Sequence, residues 1–277
     1  MTKHWFITGI SRGLGLALAK AAVARGDVVV GTVRSGTPPI EAAPGKLHVL
    51  TLDVTDGEAV ARAVDEAFQL AGGRLDVVVN NAGYGLLGAV EDATDEDLQR
   101  LFATDVFGPF KVIRAALPRL RAQGEARILN ITSIAGRAPG AGSGLYAAAK
   151  FALEGLTVAL QQEVGALGVK LTAVAPGAFR TDFLSSHSLR WSEPRAEGYE
   201  ATVGKAGDAF SSMAGRQLGD PDRAAQALLS VVDAPEPPQH LLLGSDALRR
   251  ASAKLEAVEA EMKAWESLTV STDFPQA

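Results

Sequence analysis

His4-Trp5-Phe6-Ile7-Thr8-Gly9-Ile10-Ser11-Arg12-Gly13-Leu14-Gly15 decides the fold. His4 to Thr8 is a short β-prone run and predicts a buried strand. It enters a Gly-x-x-x-Gly-x-Gly turn made by Gly9, Gly13 and Gly15. Leu16, Leu18, Ala19, Ala22 and Val23 then keep helical spacing up to Arg25-Gly26, a helix stop. Strand, glycine turn and helix in that order are the setting a dinucleotide-binding loop requires. Glycine lets the backbone approach a pyrophosphate, and the helix N-terminus offers unpaired N–H groups and the positive end of its dipole. The spacing is not the common Gly-x-Gly-x-x-Gly, and such a turn standing alone also serves as a tight strand–helix corner.

Val28-Val29-Val30-Gly31-Thr32-Val33 reads as the second strand, followed by Arg34. An acid at this strand's end binds the ribose 2′-hydroxyl of NAD in the common fingerprint. No Asp or Glu lies between Val28 and Gly36; Arg34 stands there instead, and Arg12 sits in the glycine turn. Two guanidinium groups suit a 2′-phosphate, which points to NADP(H). The alternative is a pair of solvated surface charges.

Ser133, Tyr146 and Lys150 supply chemistry of a different kind. Tyr146 and Lys150, four apart, share one face of a helix. A free phenol has a pKa of roughly 10, and an ammonium beside it favours the phenolate and pulls that value down. A serine hydroxyl can donate a hydrogen bond to a carbonyl oxygen or to the alkoxide it becomes. The set suits proton transfer at a carbonyl or alcohol oxygen. Taken singly, the Tyr–Lys pair could be an ordinary surface pair and Ser133 a turn cap.

The motifs together resemble the short-chain dehydrogenase/reductase family along most of the chain. Thr8 to Gly15 looks like its cofactor loop, with Gly9, Ser11, Arg12, Gly13, Leu14 and Gly15 at the nucleotide. Asp53-Val54 matches the pair set against adenine. Asn80-Asn81-Ala82-Gly83 matches the motif that steadies the sheet and lines the cofactor through Asn81, Ala82 and Gly83. Asn130-Ile131-Thr132-Ser133 ends the fifth strand, and Tyr146-Ala147-Ala148-Ala149-Lys150 matches the active-site Tyr-x-x-x-Lys. Pro176-Gly177-Ala178-Phe179-Arg180-Thr181 matches the loop at the nicotinamide, with Pro176, Gly177, Phe179 and Thr181 in contact.

The resemblance implies that Tyr146 is the acid/base and that Lys150 holds the nicotinamide ribose and lowers the Tyr146 pKa. Ser133 polarises the substrate oxygen, and hydride passes to or from the bound nicotinamide. It implies a Rossmann-like, doubly wound parallel sheet of seven strands in the order 3-2-1-4-5-6-7, with helices on both faces. It also implies a homodimer or homotetramer joined through the helices that carry Asp105 and Tyr146. Asp105 is the departure, because many members carry Asn there as a fourth catalytic group. A carboxylate accepts hydrogen bonds but cannot donate them. Near Lys150 it would partly cancel the field on Tyr146 and shift the pH optimum; the alternative is a purely structural Asp105.

At 277 residues with 47% hydrophobic content, the chain suits a single α/β domain over 1–277. Net charge is −5 and the pI about 5.5, so nothing points to nucleic acid. There is no cysteine, hence no disulfide or thiol nucleophile. His4, His48, His187 and His240 show no ligand spacing and read as surface or packing residues, so no metal is expected. No apolar run is long enough to cross a bilayer, and the first strand starts without a signal-peptide pattern. These readings favour a cytoplasmic protein.

Strands and helices alternate, which predicts a parallel sheet. Further strands are read at 47–53, 75–80, 127–131, 169–174 and 240–243, and helices at 58–70, from Asp95, and through Tyr146 to about Ala166. Pro109 and Pro118 are expected to bend or end helical segments. The stretch 182–217 has weak periodicity; the resemblance makes it a substrate lid, with Phe183, Leu184 and Trp191 in an apolar pocket wall beside Tyr84. Beyond the last strand, 246–277 reads as a helical extension. Its stripe of Leu248, Ala251, Leu255, Val258, Met262 and Trp265 is expected to pack on the domain or near a subunit boundary.

These readings favour an NADP(H)-dependent carbonyl reductase or alcohol dehydrogenase acting on a small to medium apolar molecule. A 3-oxoacyl-carrier-protein reductase is the alternative enzyme, and would need a basic docking patch beside the cleft. A non-catalytic NADP(H) sensor is the alternative of another class, since fold alone does not fix function.

Overall fold

The computed structural model describes residues 2–43, 45–185, 188–193 and 196–274. His187 lies outside the described residues. The strands are β1 (His4–Ile7), β2 (Val28–Val33), β3 (Leu47–Thr51), β4 (Val77–Asn80), β5 (Gly85–Leu87), β6 (Ala126–Ile131), β7 (Val169–Pro176), β8 (Leu189–Trp191) and β9 (His240–Leu243). The helices are α1 (Gly13–Ala24), α2 (Gly57–Leu70), α3 (Asp95–Phe102), α4 (Gly108–Gln123), α5 (Gly144–Val164), α6 (Lys205–Ser212), α7 (Pro221–Asp233), α8 (Ser245–Ala264) and α9 (Glu266–Val270).

Seven strands form one parallel sheet in the order β3-β2-β1-β4-β6-β7-β9. This is the expected order once β5 and β8 are set aside. Those two short strands pair with each other in a separate parallel ribbon that the sequence reading did not contain.

The period-2 alternation of a strand sorts the core into two layers. Phe6, Val30, Val78 and Ile128 turn to one face, where Val64 and Phe68 of α2 and Val112 and Leu120 of α4 cover them. Trp5, Ile7, Val29 and Val79 turn to the other, against Leu18 and Ala22 of α1 and Leu228 and Leu229 of α7. A buried polar chain crosses the first layer. Asn80 Nδ2 donates to Asn130 Oδ1 at 2.8 Å, and Asn130 Nδ2 donates to Thr157 Oγ1 at 2.8 Å. It ties β4 and β6 to α5, which carries Tyr146 and Lys150.

Two expectations are corrected. Pro118 lies inside α4 without ending it, because it sits on the exposed face, where the carbonyl it leaves without an N–H can meet water. Pro109 opens α4 just after a single π-helical turn, Ala103–Phe107, that carries Asp105. The C-terminal stripe packs on the domain only at its start. Ala251 is buried beside Ala247, Ile134 and Ala138, whereas Leu248, Leu255, Met262 and Trp265 are exposed.

Candidate active site

The sequence motifs meet at the carboxyl ends of the strands, where open α/β sheets bind ligands. Gly9 and Gly13 hold positive φ angles of 74° and 62°, which favour glycine. Arg12 precedes α1 with no side-chain cap, and the first turn of α1 holds no acidic residue. Its N–H groups are therefore left for an anion. Asn81 fastens this turn to the end of β4, its Nδ2 donating to the carbonyls of Thr8 and Gly9 at 2.9 and 2.8 Å. The Thr8 hydroxyl accepts the N–H groups of Asn81 and Ala82, both at 3.0 Å. A Cβ on Gly15 would collide with the Asn81 side chain, so this packing also needs glycine.

Arg34 is exposed at the end of β2, and Ser11 is exposed in the loop. Asp53 is exposed and closes its own turn, accepting the N–H and hydroxyl of Thr55 at 2.9 and 2.8 Å. Val54 is buried against the start of α4, where a Cβ on Gly108 would press on it.

Tyr146 and Lys150 lie one turn apart on α5, both buried, with Lys150 Nζ 5.6 Å from the centre of the Tyr146 ring. Ser133, two residues past β6, neighbours Tyr146 closely enough to lower its pKa, and its Oγ accepts the Ala135 N–H at 3.1 Å. Lys150 Nζ donates to the Ile131 carbonyl at 3.2 Å and stands 3.0 Å from Asp105 Oδ2. An ammonium has three donors, so at least one remains for another partner. Asp105 is wholly enclosed. Its Oδ1 accepts the Tyr84 N–H at 3.1 Å, and its Oδ2 lies where a Cβ on Gly83 would come within 3.0 Å.

Burial would lower the proton affinity of Lys150, but Asp105 outweighs it and keeps the ammonium charged. Tyr146 departs from expectation. Lys150 does pull its pKa down, as does the neighbouring Ser133 hydroxyl, yet burial and the Asp105 charge hold it above the ordinary phenol value. The group at the centre of the site is a protonated phenol.

The loop after β7 faces the glycine turn. A Cβ on Gly13 would touch Thr181 at 3.8 Å. Asp246, in the first turn of α8, anchors this loop through Oδ2, which accepts the Ala178 N–H at 2.8 Å. Gly177 lies so close to that carboxylate that a Cβ would overlap it. The sequence reading missed Asp246; its place just after β9, three residues beyond Leu243, was the available signal. Of the expected pocket wall, Phe183 stands by the trio, its ring 6.0 Å from that of Tyr146, and Tyr84 packs against the cluster that holds Tyr146. Trp191 lies against α6 at Gly207, and Leu184 lines a cleft with Gly13, Leu16 and Lys20. Tyr84 stacks under Arg190 of β8, 5.3 Å away, a neighbour not anticipated. Among the described residues, no group of His, Cys, Asp or Glu could hold a metal ion, and no helix is long and apolar enough to cross a membrane.

Comparison with known proteins agrees with this fold. Residues 3–190 match the short chain dehydrogenase family, and the chain belongs to it. A short-chain dehydrogenase from Streptomyces avermitilis superposes with a TM-score of 0.92 at 39% identity, covering 99% of this chain and all of that one. Oxidoreductase BOA17 of Botryotinia fuckeliana is 38% identical over 278 residues, 98% of this chain and 100% of its own length. ElxO, solved with NADP bound, superposes with a TM-score of 0.73 at 26% identity, over 90% of this chain and all of that one.

Proposed function

We propose that the chain is a single-domain NADP(H)-dependent oxidoreductase that interconverts a carbonyl and a secondary alcohol on a small to medium apolar substrate. The observation that carries this is the convergence of Tyr146 and Lys150, 5.6 Å apart with Ser133 as a neighbour, at the same strand ends as an uncapped helix N-terminus. The glycine turn and the N–H groups of α1 fit a pyrophosphate, and Asn81 holds that turn in shape. Thr181 and the backbone from Pro176 to Phe179 fit the nicotinamide end. Arg12 and Arg34 favour NADP over NAD, and the NADP-bound relative ElxO supports that choice.

The reduced nicotinamide, when bound, supplies the hydride. Ser133 donates a hydrogen bond to the substrate carbonyl. Tyr146 gives its proton to the same oxygen as it becomes an alkoxide, and the resulting phenolate is stabilised by the Lys150 ammonium. The free donor of Lys150 suits a ribose hydroxyl. In the reverse direction the phenolate takes the alcohol proton. Phe183 beside Tyr146 makes the substrate side apolar, and the stretch 182–217 acts as the lid. Phe107 and Phe110, at the start of α4, and Phe151 of α5 are exposed aromatics suited to a homo-oligomer interface.

The test is NADPH oxidation against ketones, aldehydes and quinones, with NADPH binding followed by fluorescence. Turnover that is lost in Tyr146→Phe while binding is retained supports the proposal. Tight NADPH binding with no turnover on any carbonyl favours a sensor and overturns it.

A further inference from the structure

The second half of α8 leaves the domain with its apolar side uncovered. Ala247 and Ala251 seat the first turns on Ile134 and Ala138. Beyond them, every described residue from 252 to 274 except Val258 is exposed. Leu255, Met262 and Trp265 are 70%, 68% and 63% exposed, and Leu248 is 58% exposed. Leu248, Leu255 and Met262 recur every seventh residue, with Val258 and Trp265 three residues after the last two. That is the a/d seam of a two-helix coil. An isolated helix of this length is marginal in water, so its stability comes from packing of an apolar face.

The charges on the helix name the partner. Arg249, Arg250 and Lys254 occupy its first half, and Glu256, Glu259 and Glu261 its second, with Lys263 the single base among them. We infer that this helix pairs antiparallel with the same helix of a second copy of the chain. The antiparallel sense sets Leu255 against the second copy's Val258 and Leu248 against its Trp265. It brings Lys254 beside the second copy's Glu261, twice by symmetry. A parallel pair would instead lay the two basic first halves side by side, and the two acidic second halves likewise. A lipid surface fits less well, because membrane-surface helices carry basic polar faces, whereas residues 245–270 hold five acidic and four basic side chains.

The test uses full-length protein and sedimentation equilibrium. Arg249→Glu with Lys254→Glu makes an all-acidic face, and Glu259→Lys with Glu261→Lys makes a basic one. None of the four residues belongs to the proposed active site. Each variant alone should self-associate roughly tenfold more weakly across this contact, and an equimolar mixture should recover the wild-type mass. Leu255→Asp with Met262→Asp should halve the assembly and leave NADPH oxidation per chain unchanged. Equal mass for wild type and the Leu255/Met262 variant overturns the inference, as does a mixture no larger than its separate components. Sedimentation of the wild type, but not that variant, with phosphatidylserine vesicles at unchanged mass overturns it in favour of a membrane surface.

Discussion

Lys150 and Asp105 form a buried ion pair, Nζ to Oδ2 3.0 Å, within reach of the phenol they jointly control. Lys150 pulls the Tyr146 pKa down and Asp105 pushes it back up. Asp105→Asn removes the opposing charge and keeps an oxygen for the Tyr84 N–H. The Tyr146 pKa should therefore fall. Reduction needs the phenol, so its high-pH limb should move to lower pH; alcohol oxidation needs the phenolate, so its low-pH limb should move the same way. The chain has three tyrosines, which makes tyrosinate absorbance on cofactor-free protein a direct readout, with Tyr146→Phe as the subtraction. An unmoved Tyr146 titration would leave Asp105 only structural. Asp105→Ala is a different experiment: it strands the buried ammonium, and should cost about 3–5 kcal/mol in urea melts.

The Asn80–Asn130–Thr157 chain should matter to stability more than its surface neighbours. Asn130→Ala removes a donor and an acceptor at once, strands the Asn80 amide and leaves the Thr157 hydroxyl with only its bond to the Leu153 carbonyl. About 2–4 kcal/mol should be lost. Because Thr157 lies on the helix that carries Tyr146 and Lys150, turnover should fall more than cofactor affinity. Equal stability of Asn130→Ala and wild type in urea would show that the chain is not a tie between sheet and helix.

What could be read in advance follows from how local each signal is. The turn from Gly9 to Gly15 works through its own backbone, so seven neighbouring residues announce it. Tyr146 and Lys150 lie one turn apart on one helix, so spacing alone sets them together. Ser133 and Asp105 come from other elements, and only the family resemblance placed them. The anchoring role of Asp246 was hidden because its partner, the Ala178 N–H, is 68 residues away. Ribbon β5–β8 was missed for the same reason: three-residue strands carry too little periodicity to detect, and their pairing is tertiary. Heptad spacing in α8 was legible, but the sequence could not say that the domain surface ends at Ala251.

Asp246 should act on the cofactor without touching it. Its carboxylate fixes the Ala178 N–H, and Gly177 permits the approach. Asp246→Ala should loosen the Pro176–Thr181 loop and weaken NADPH binding roughly tenfold, with a loss of about 1–2 kcal/mol in stability. Gly177→Ala should reproduce the binding defect by steric means, since its Cβ would land on the same carboxylate. Fluorescence titration measures the first effect and a urea melt the second. Wild-type NADPH affinity in both variants would show that the loop holds its shape without this anchor.

Arg34 and Arg12 should set the choice between NADPH and NADH by charge rather than by shape. Arg34 is exposed, so its attraction for a 2′-phosphate is screened by water and salt. A charge-assisted hydrogen bond to such a group is still worth about 1.5–3 kcal/mol. Arg34→Ala should therefore reduce the NADPH-to-NADH ratio of kcat/KM by roughly tenfold to a hundredfold, mostly through KM for NADPH. Arg12 precedes the first turn of α1, where its charge adds to the helix dipole. Its replacement by Ala should weaken both cofactors, and NADPH more. Raising the salt concentration should narrow the wild-type preference and barely change that of the double variant. A ratio that survives both substitutions would place the 2′-phosphate elsewhere, and the absence of an acid after β2 would then carry no information about the nucleotide.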